Sequence, residues 1–108
     1  MIKKIRLLLS WHTFPVWLYN EKDEIIDNEV PPEWLDDKEL IDIFDSVSDY
    51  YDSLFINNSK EFRFVGFKNM KRKKEFLELV QKAIKTIEIK NNNKYQIVND
   101  FYPHLDQI

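Results

Sequence analysis

The chain has no cysteine and one glycine, Gly66, and these two scarcities exclude much chemistry at once. Without cysteine there is no disulfide framework, no thiolate nucleophile and no zinc site built on sulfur; a reducing compartment fits. With a single glycine there is no glycine-rich loop to cradle a phosphate. Long apolar runs are missing as well. Ile5-Arg6-Leu7-Leu8-Leu9 gives way to Ser10, His12 and Pro15, short of the roughly 7–15 apolar residues of a secretion signal and the roughly 20 of a membrane span. The expectation is a cytoplasmic chain with no membrane partner, in which the sequon Asn57-Asn58-Ser59 carries no glycosylation meaning. Histidine is confined to His12 and His104, too far apart in sequence to suggest a metal pair, so neither metal nor cofactor is expected.

What is present suffices for one packed interior. The chain has 108 residues, 44% of them apolar and 15% aromatic, which excludes disorder and suits a single domain over 1–108, since two cores would leave both halves marginal. Its net charge of -3 hides a segregation: residues 1–19 hold three basic and no acidic side chains, residues 20–61 fourteen acidic against three basic, and residues 62–90 nine basic against three acidic. A strongly anionic middle speaks to partners and association rates rather than to fold.

Hydrophobic periodicity supplies the elements. Residues 2–10 and 15–20 read as neighbouring strands, with Pro15 at a start or edge where its missing donor matters least, and Ile25-Ile26 as a short third strand. Pro31-Pro32 punctuates. From Glu33 to Phe55 the spacing predicts a helix: Leu40, Ile43, Phe44, Val47, Tyr50, Tyr51, Leu54 and Phe55 fall within one arc of about 140° at 100° per residue, and Glu39, Asp42, Asp45, Asp49 and Asp52 fall opposite. Asn57-Asn58-Ser59 ends it. Phe62 and Phe64 alternate with Arg63 and Val65 in a half-buried strand over 61–67, where Gly66 predicts a bulge or a close backbone approach. Asn69 caps a second helix carrying Phe76, Leu77, Val80, Ala83, Ile84 and Ile87 to about Lys90, and Tyr95–Asp100 forms a last strand before a tail with Pro103, His104 and Asp106. The expected class is α+β, in two layers and the order β-β-β-α-β-α-β, with both helices packed on a largely antiparallel sheet.

The acidic ridge is the sharpest feature. No basic residue occurs between Glu39 and Ser59, so carboxylates at i, i+3 and i+4 repel by a few tenths of a kcal/mol each, and each helical aspartate costs roughly half a kcal/mol in propensity. A solvated helix face is the plain reading. The uncompensated cost points instead to steering toward a basic partner, with Glu39, Asp42, Asp45, Asp49 and Asp52 as the contact residues and Tyr50, at the polar edge, as an aromatic anchor. Lys71-Arg72-Lys73-Lys74 opens the alternative of a small nucleic-acid-associated regulator, but four basic residues with no interleaved aromatics specify little. Trp11, Trp17, Trp34 and Tyr19 default to core or half-buried positions. No catalytic site is expected: Glu88-Ile89-Lys90 falls at a helix end rather than on a strand, and Ser10 and His12 are too local to form a triad.

Ile5-Arg6-Leu7-Leu8-Leu9, Pro15-Val16-Trp17-Leu18-Tyr19, Asp27-Asn28, Asp52-Ser53-Leu54-Phe55-Ile56-Asn57 and Phe62-Arg63-Phe64-Val65-Gly66-Phe67-Lys68-Asn69 together resemble, in pattern and order, the small immunity proteins of bacterial polymorphic-toxin systems, secreted or contact-dependent. The chain departs from them in having no cysteine near Thr13 and in its basic run after Asn69. The resemblance implies a non-enzymatic protein that neutralises a cognate toxin. Such toxins include basic nucleases, whose cationic surface an acidic antidote can cover.

Overall fold

Ile5 and Leu7 alternate with Lys4 and Arg6 along the first strand, and the period of two sends the aliphatic pair inward and the cations outward. A computed structural model describes residues 1–58 and 60–101. Strands β1 (Lys4–Leu7), β2 (Val16–Tyr19) and β3 (Ile25–Asp27) form an antiparallel meander, and β6 (Gln96–Asn99) returns beside β1 in parallel, giving the order β3-β2-β1-β6. The register sets Ile5 against Leu18 and Leu7 against Val16, so that these four side chains, all at most 2% exposed, make the inner face.

Against that face lie helices α1 (Lys38–Asp52) and α2 (Met70–Asn91). Leu40, Phe44, Val47 and Tyr51 of α1 and Phe76, Val80, Ala83, Ile84 and Ile87 of α2 join the strand residues in one continuous cluster. The fold is α+β, and the order expected from periodicity holds, with two of the three pairings in the main sheet antiparallel.

Three local expectations are corrected. The helix expected from Glu33 begins later: Pro32–Trp34 makes one 3-10 turn, and α1 starts only after Asp37, whose side chain accepts from the Leu40 amide at 3.1 Å. It also ends earlier. Ser53 closes it, and Phe55–Asn57 leaves the helical path as strand β4, which pairs antiparallel with β5 (Phe62–Phe64) in a separate two-stranded sheet. The turn between them is held by Asn58, whose Oδ1 accepts from the amides of Lys60 and Glu61 at 2.8 and 3.0 Å. The strand expected over 61–67 is therefore shorter, and all three of its residues are exposed rather than half-buried.

Other expectations are met. Val65 and Gly66 both donate their amides to the Leu54 carbonyl, at 2.7 and 3.1 Å, two residues opposing one as in a β-bulge, and Gly66 has φ +75°. Asn69 caps α2 by accepting from the Arg72 amide at 2.9 Å. At the other end Asn92 turns left-handed (φ 44°), and the buried Asn91 side chain exchanges two 2.8 Å bonds with the Tyr95 backbone, which turns the chain into β6. Among the described residues, no helix is long and apolar enough to cross a membrane. Pro103, His104 and Asp106 lie outside the described residues.

Candidate functional site: the acidic face of α1 and its surroundings

The two helices run antiparallel and are pinned at both ends. Lys90 meets Asp37 at 2.5 Å at one end, and the Tyr50 hydroxyl donates to the Arg72 carbonyl at 2.9 Å at the other. With its apolar stripe locked inward, α1 must turn its opposite face to solvent. Glu39, Asp42, Asp45 and Asp49 are exposed there. Asp42 has one exposed i,i+4 partner, Lys38, at 3.2 Å, a pair of the kind worth little in water. Partial desolvation, then Asp49, then Asp42 hold the Asp45 carboxyl above its ordinary range. Burial contributes most to that shift, and the two neighbouring carboxylates add to it.

The basic cluster does not relieve it. Lys71, Arg72, Lys73 and Lys74 lie in the first turns of α2, Arg72 approaches Glu75 at 3.8 Å, and among the described residues none of the four forms an ion pair with a carboxylate of α1. The cations that do reach across the helix ends are Lys90, to Asp37, and Lys94, to Glu33. Lys90 closes the Glu-x-Lys triplet of the sequence, and its role is to join helices.

Two of the expected contact residues are engaged within the molecule. Asp52 is half-buried, and its Oδ1 accepts from the His12 amide at 2.9 Å. The bond supports a left-handed backbone at His12 (φ 51°), a conformation costly for a residue with a Cβ. Tyr50 is half-buried too; its ring lies 5.1 Å from that of Phe76 and its hydroxyl is used by Arg72. Tyr50 anchors α2 to α1 and lines a hollow of about 610 Å3 between the two helices and the segment following β5. Asp49, Lys68 and Arg72 stand at that hollow, and Leu54, Val65 and Phe67 supply its apolar lining.

Beyond Asp52 the surface becomes aromatic: Trp11 is half-buried, within its expectation, and gathers with the exposed Phe62 and Phe64, a cluster that sequence spacing does not reveal. His12 stacks on Trp11 with centroids 4.1 Å apart, and Trp11 in turn contacts Phe55 and Phe62, each at 5.0 Å. Phe55 touches Phe62 and Phe64 at 5.4 and 5.2 Å. Phe62 remains 52% exposed, Phe64 38% and Val65 43%, well beyond what a small hairpin needs in order to close.

Trp17 and Tyr19 do sit in the sheet, facing away from the helices. There Arg6 bonds Asp100 at 2.6 Å and the Tyr19 hydroxyl at 3.2 Å, bonds that raise the proton affinity of its guanidinium, Tyr19 first. Among the described residues no three His, Asp or Glu side chains come together to hold a metal ion. No protein-family model matches the chain, and comparison with curated proteins finds no match.

Proposed function

We propose that the chain is a binding protein whose exposed acidic α1 face captures a basic polypeptide, and that this polypeptide is a toxin which the chain neutralises in the cytoplasm. One observation carries the reading: Glu39, Asp42, Asp45 and Asp49 stand exposed along a single helix face, while the nearest run of lysines and arginine pairs with none of them among the described residues. Like charges in such a row cost stability. A row kept in spite of that cost suits long-range attraction, which can raise association from about 10⁵–10⁶ to about 10⁸–10⁹ per molar per second at low salt. The toxin is inferred from the resemblance of the sequence to immunity proteins, several of whose targets are basic nucleases.

The test is growth rescue. Expression of the product of the neighbouring reading frame is expected to arrest growth, co-expression of this chain to restore it, and Asp45→Lys with Asp49→Lys to abolish the rescue. A neighbour without effect on growth removes the toxin from the reading; rescue by the double variant removes the acidic face. Saturable binding of RNA or DNA in a low-salt filter assay, lost on neutralising Lys71–Lys74, would favour a nucleic-acid regulator instead.

A further inference from the structure

We infer that the β4–β5 hairpin is the apolar anchor of the capture surface, with Phe62, Phe64 and Trp11 receiving an apolar side chain from a basic polypeptide whose cations lie along α1. This rests on the acidic-face reading above and names what holds the partner once charge has brought it in. Electrostatic steering sets encounter rates, whereas lifetimes depend on a few desolvated anchors, aromatic ones above all. Among the described residues, the exposed large aromatics are Phe62 and Phe64, both on this hairpin.

The two surfaces are continuous. Asp52, at the end of α1, accepts from the His12 amide at 2.9 Å; His12 stacks on Trp11, and Trp11 contacts Phe62. On the other flank, Asp49 and Val65 line the same hollow. Lys68 and Arg72 also line that hollow, so the uninterrupted route from the carboxylates of α1 to the hairpin is the one through Asp52, His12 and Trp11. Arg63, the cation of β5, alternates to the opposite hairpin face and is paired with Glu61 at 3.1 Å.

The geometry favours an inserted side chain over a stacked base. Bases need open ring faces, but His12 covers one face of Trp11 at a 19° tilt, and Phe62 lies nearly parallel to Phe55 at 7°. Stacking thereby closes one face of each of these rings to a base, while Phe62 at 52% and Phe64 at 38% exposure stay open to an apolar side chain, with Asp52 beside the His12–Trp11 pair. A second copy of the chain is disfavoured by the same charge, because symmetric pairing through the hairpin would bring two acidic helices together.

The test uses random 16-residue peptides displayed on phage and selected on the immobilised full chain, with the enriched peptides then synthesised. They are expected to combine Lys or Arg with Leu, Ile, Phe or Trp. Phe62→Ser is expected to weaken them at least tenfold through faster dissociation, with the association rate within threefold of wild type. Because a variant can lose its fold, amide chemical-shift mapping on the wild-type chain provides the parallel reading: shifts should fall at residues 10–13, 54–58 and 60–65 together with the exposed face of α1 from Glu39 to Asp49. No enrichment of basic–apolar peptides, or shifts elsewhere, overturns the inference. So does saturable binding of single-stranded RNA, or a self-associating chain that Phe62→Ser makes monomeric. Peptides weakened by Asp45→Lys with Asp49→Lys but indifferent to Phe62→Ser would overturn the anchor and leave the acidic face standing. The reverse pattern would overturn the acidic face alone.

Discussion

Lys90, in the last turn of α2, sets its ammonium 2.5 Å from the carboxylate of Asp37, the residue that caps the start of α1. One side chain thus serves two helices, since the same carboxylate accepts from the Leu40 amide. Both bonds hold the Asp37 carboxyl below its usual range, Lys90 first, and the pairing raises Lys90. With Tyr50 and the Arg72 carbonyl at the far end, α1 is fixed about its long axis, and its acidic side faces out.

Replacing Asp37 separates these two roles. Asp37→Ala removes cap and ion pair, and a thermal melt followed by circular dichroism should fall by about 5 °C, within the range of lost caps in domains of this size. Asp37→Asn keeps a capping oxygen and should lose less than half of that. Equal losses would assign the whole effect to Lys90.

Glu33 ties the 3-10 turn to the approach of β6. Its carboxylate accepts from Lys94 at 2.7 Å and from the Tyr95 hydroxyl, which together lower it from 4.5 to about 2, Lys94 first. A carboxyl depressed in the folded state stabilises fully above its unfolded value and loses that contribution as pH falls toward its folded one. Urea titrations should therefore show stability declining between about pH 5 and pH 2. Glu33→Gln should flatten the decline by about 1 kcal/mol, a figure reduced for solvent screening of a partly exposed pair. An unchanged pH profile would mean that the bonds do not persist in solution.

The acidic face should cost stability. Asp45 is raised in the folded state, so its ionised form disfavours folding above that raised value, and the penalty disappears below the unfolded one. Asp45→Asn should then be more stable than wild type at pH 7 by a few tenths of a kcal/mol, and no more stable at pH 3. A less stable variant at pH 7 would mean that Asp45 has a favourable contact within the fold.

Gly66 should resist substitution because of its backbone rather than its space. A Cβ there would meet the Phe64 ring at 3.6 Å, an ordinary contact, but φ is +75°. Gly66→Ala should cost about 1 kcal/mol by urea unfolding, and Gly66→Asn less, because asparagine tolerates left-handed backbone better. Equal costs would assign the loss to crowding.

The second helix is legible in the sequence from end to end because each of its signals is local: an asparagine cap, apolar residues at helical spacing, and asparagines able to turn left-handed at the end. The first helix is legible in its middle only. Pro32 and Glu33 look like a helix start whether the turn that follows is α or 3-10. Asp37, three residues before Leu40, was the true signal. Strand β4 is hidden because Leu54 and Phe55 fit the helical arc; what takes Phe55 out of the helix is pairing with Phe64, and the Leu54 carbonyl is taken up by the Val65 and Gly66 amides, nonlocal events organised by the Asn58 turn. The exposed positions from Glu39 to Asp49 follow from a 100° step alone. The bond from Asp52 to the His12 amide and the aromatic cluster do not, since both depend on the loop after β1 folding back to α1, and alternation alone reads Phe62 and Phe64 as the covered face of a half-buried strand.

The association rate of this chain with the product of its neighbouring reading frame, measured by stopped flow at several salt concentrations, bears most directly on what the acidic face does. The rate for wild type should fall steeply between 20 and 500 mM salt, concentrations chosen so that the screening length shrinks from about 20 Å to below about 5 Å. Asp45→Lys with Asp49→Lys should associate at least ten times more slowly at low salt and respond little to added salt. Identical rates and salt slopes for the two proteins would contradict capture through the charged side of α1.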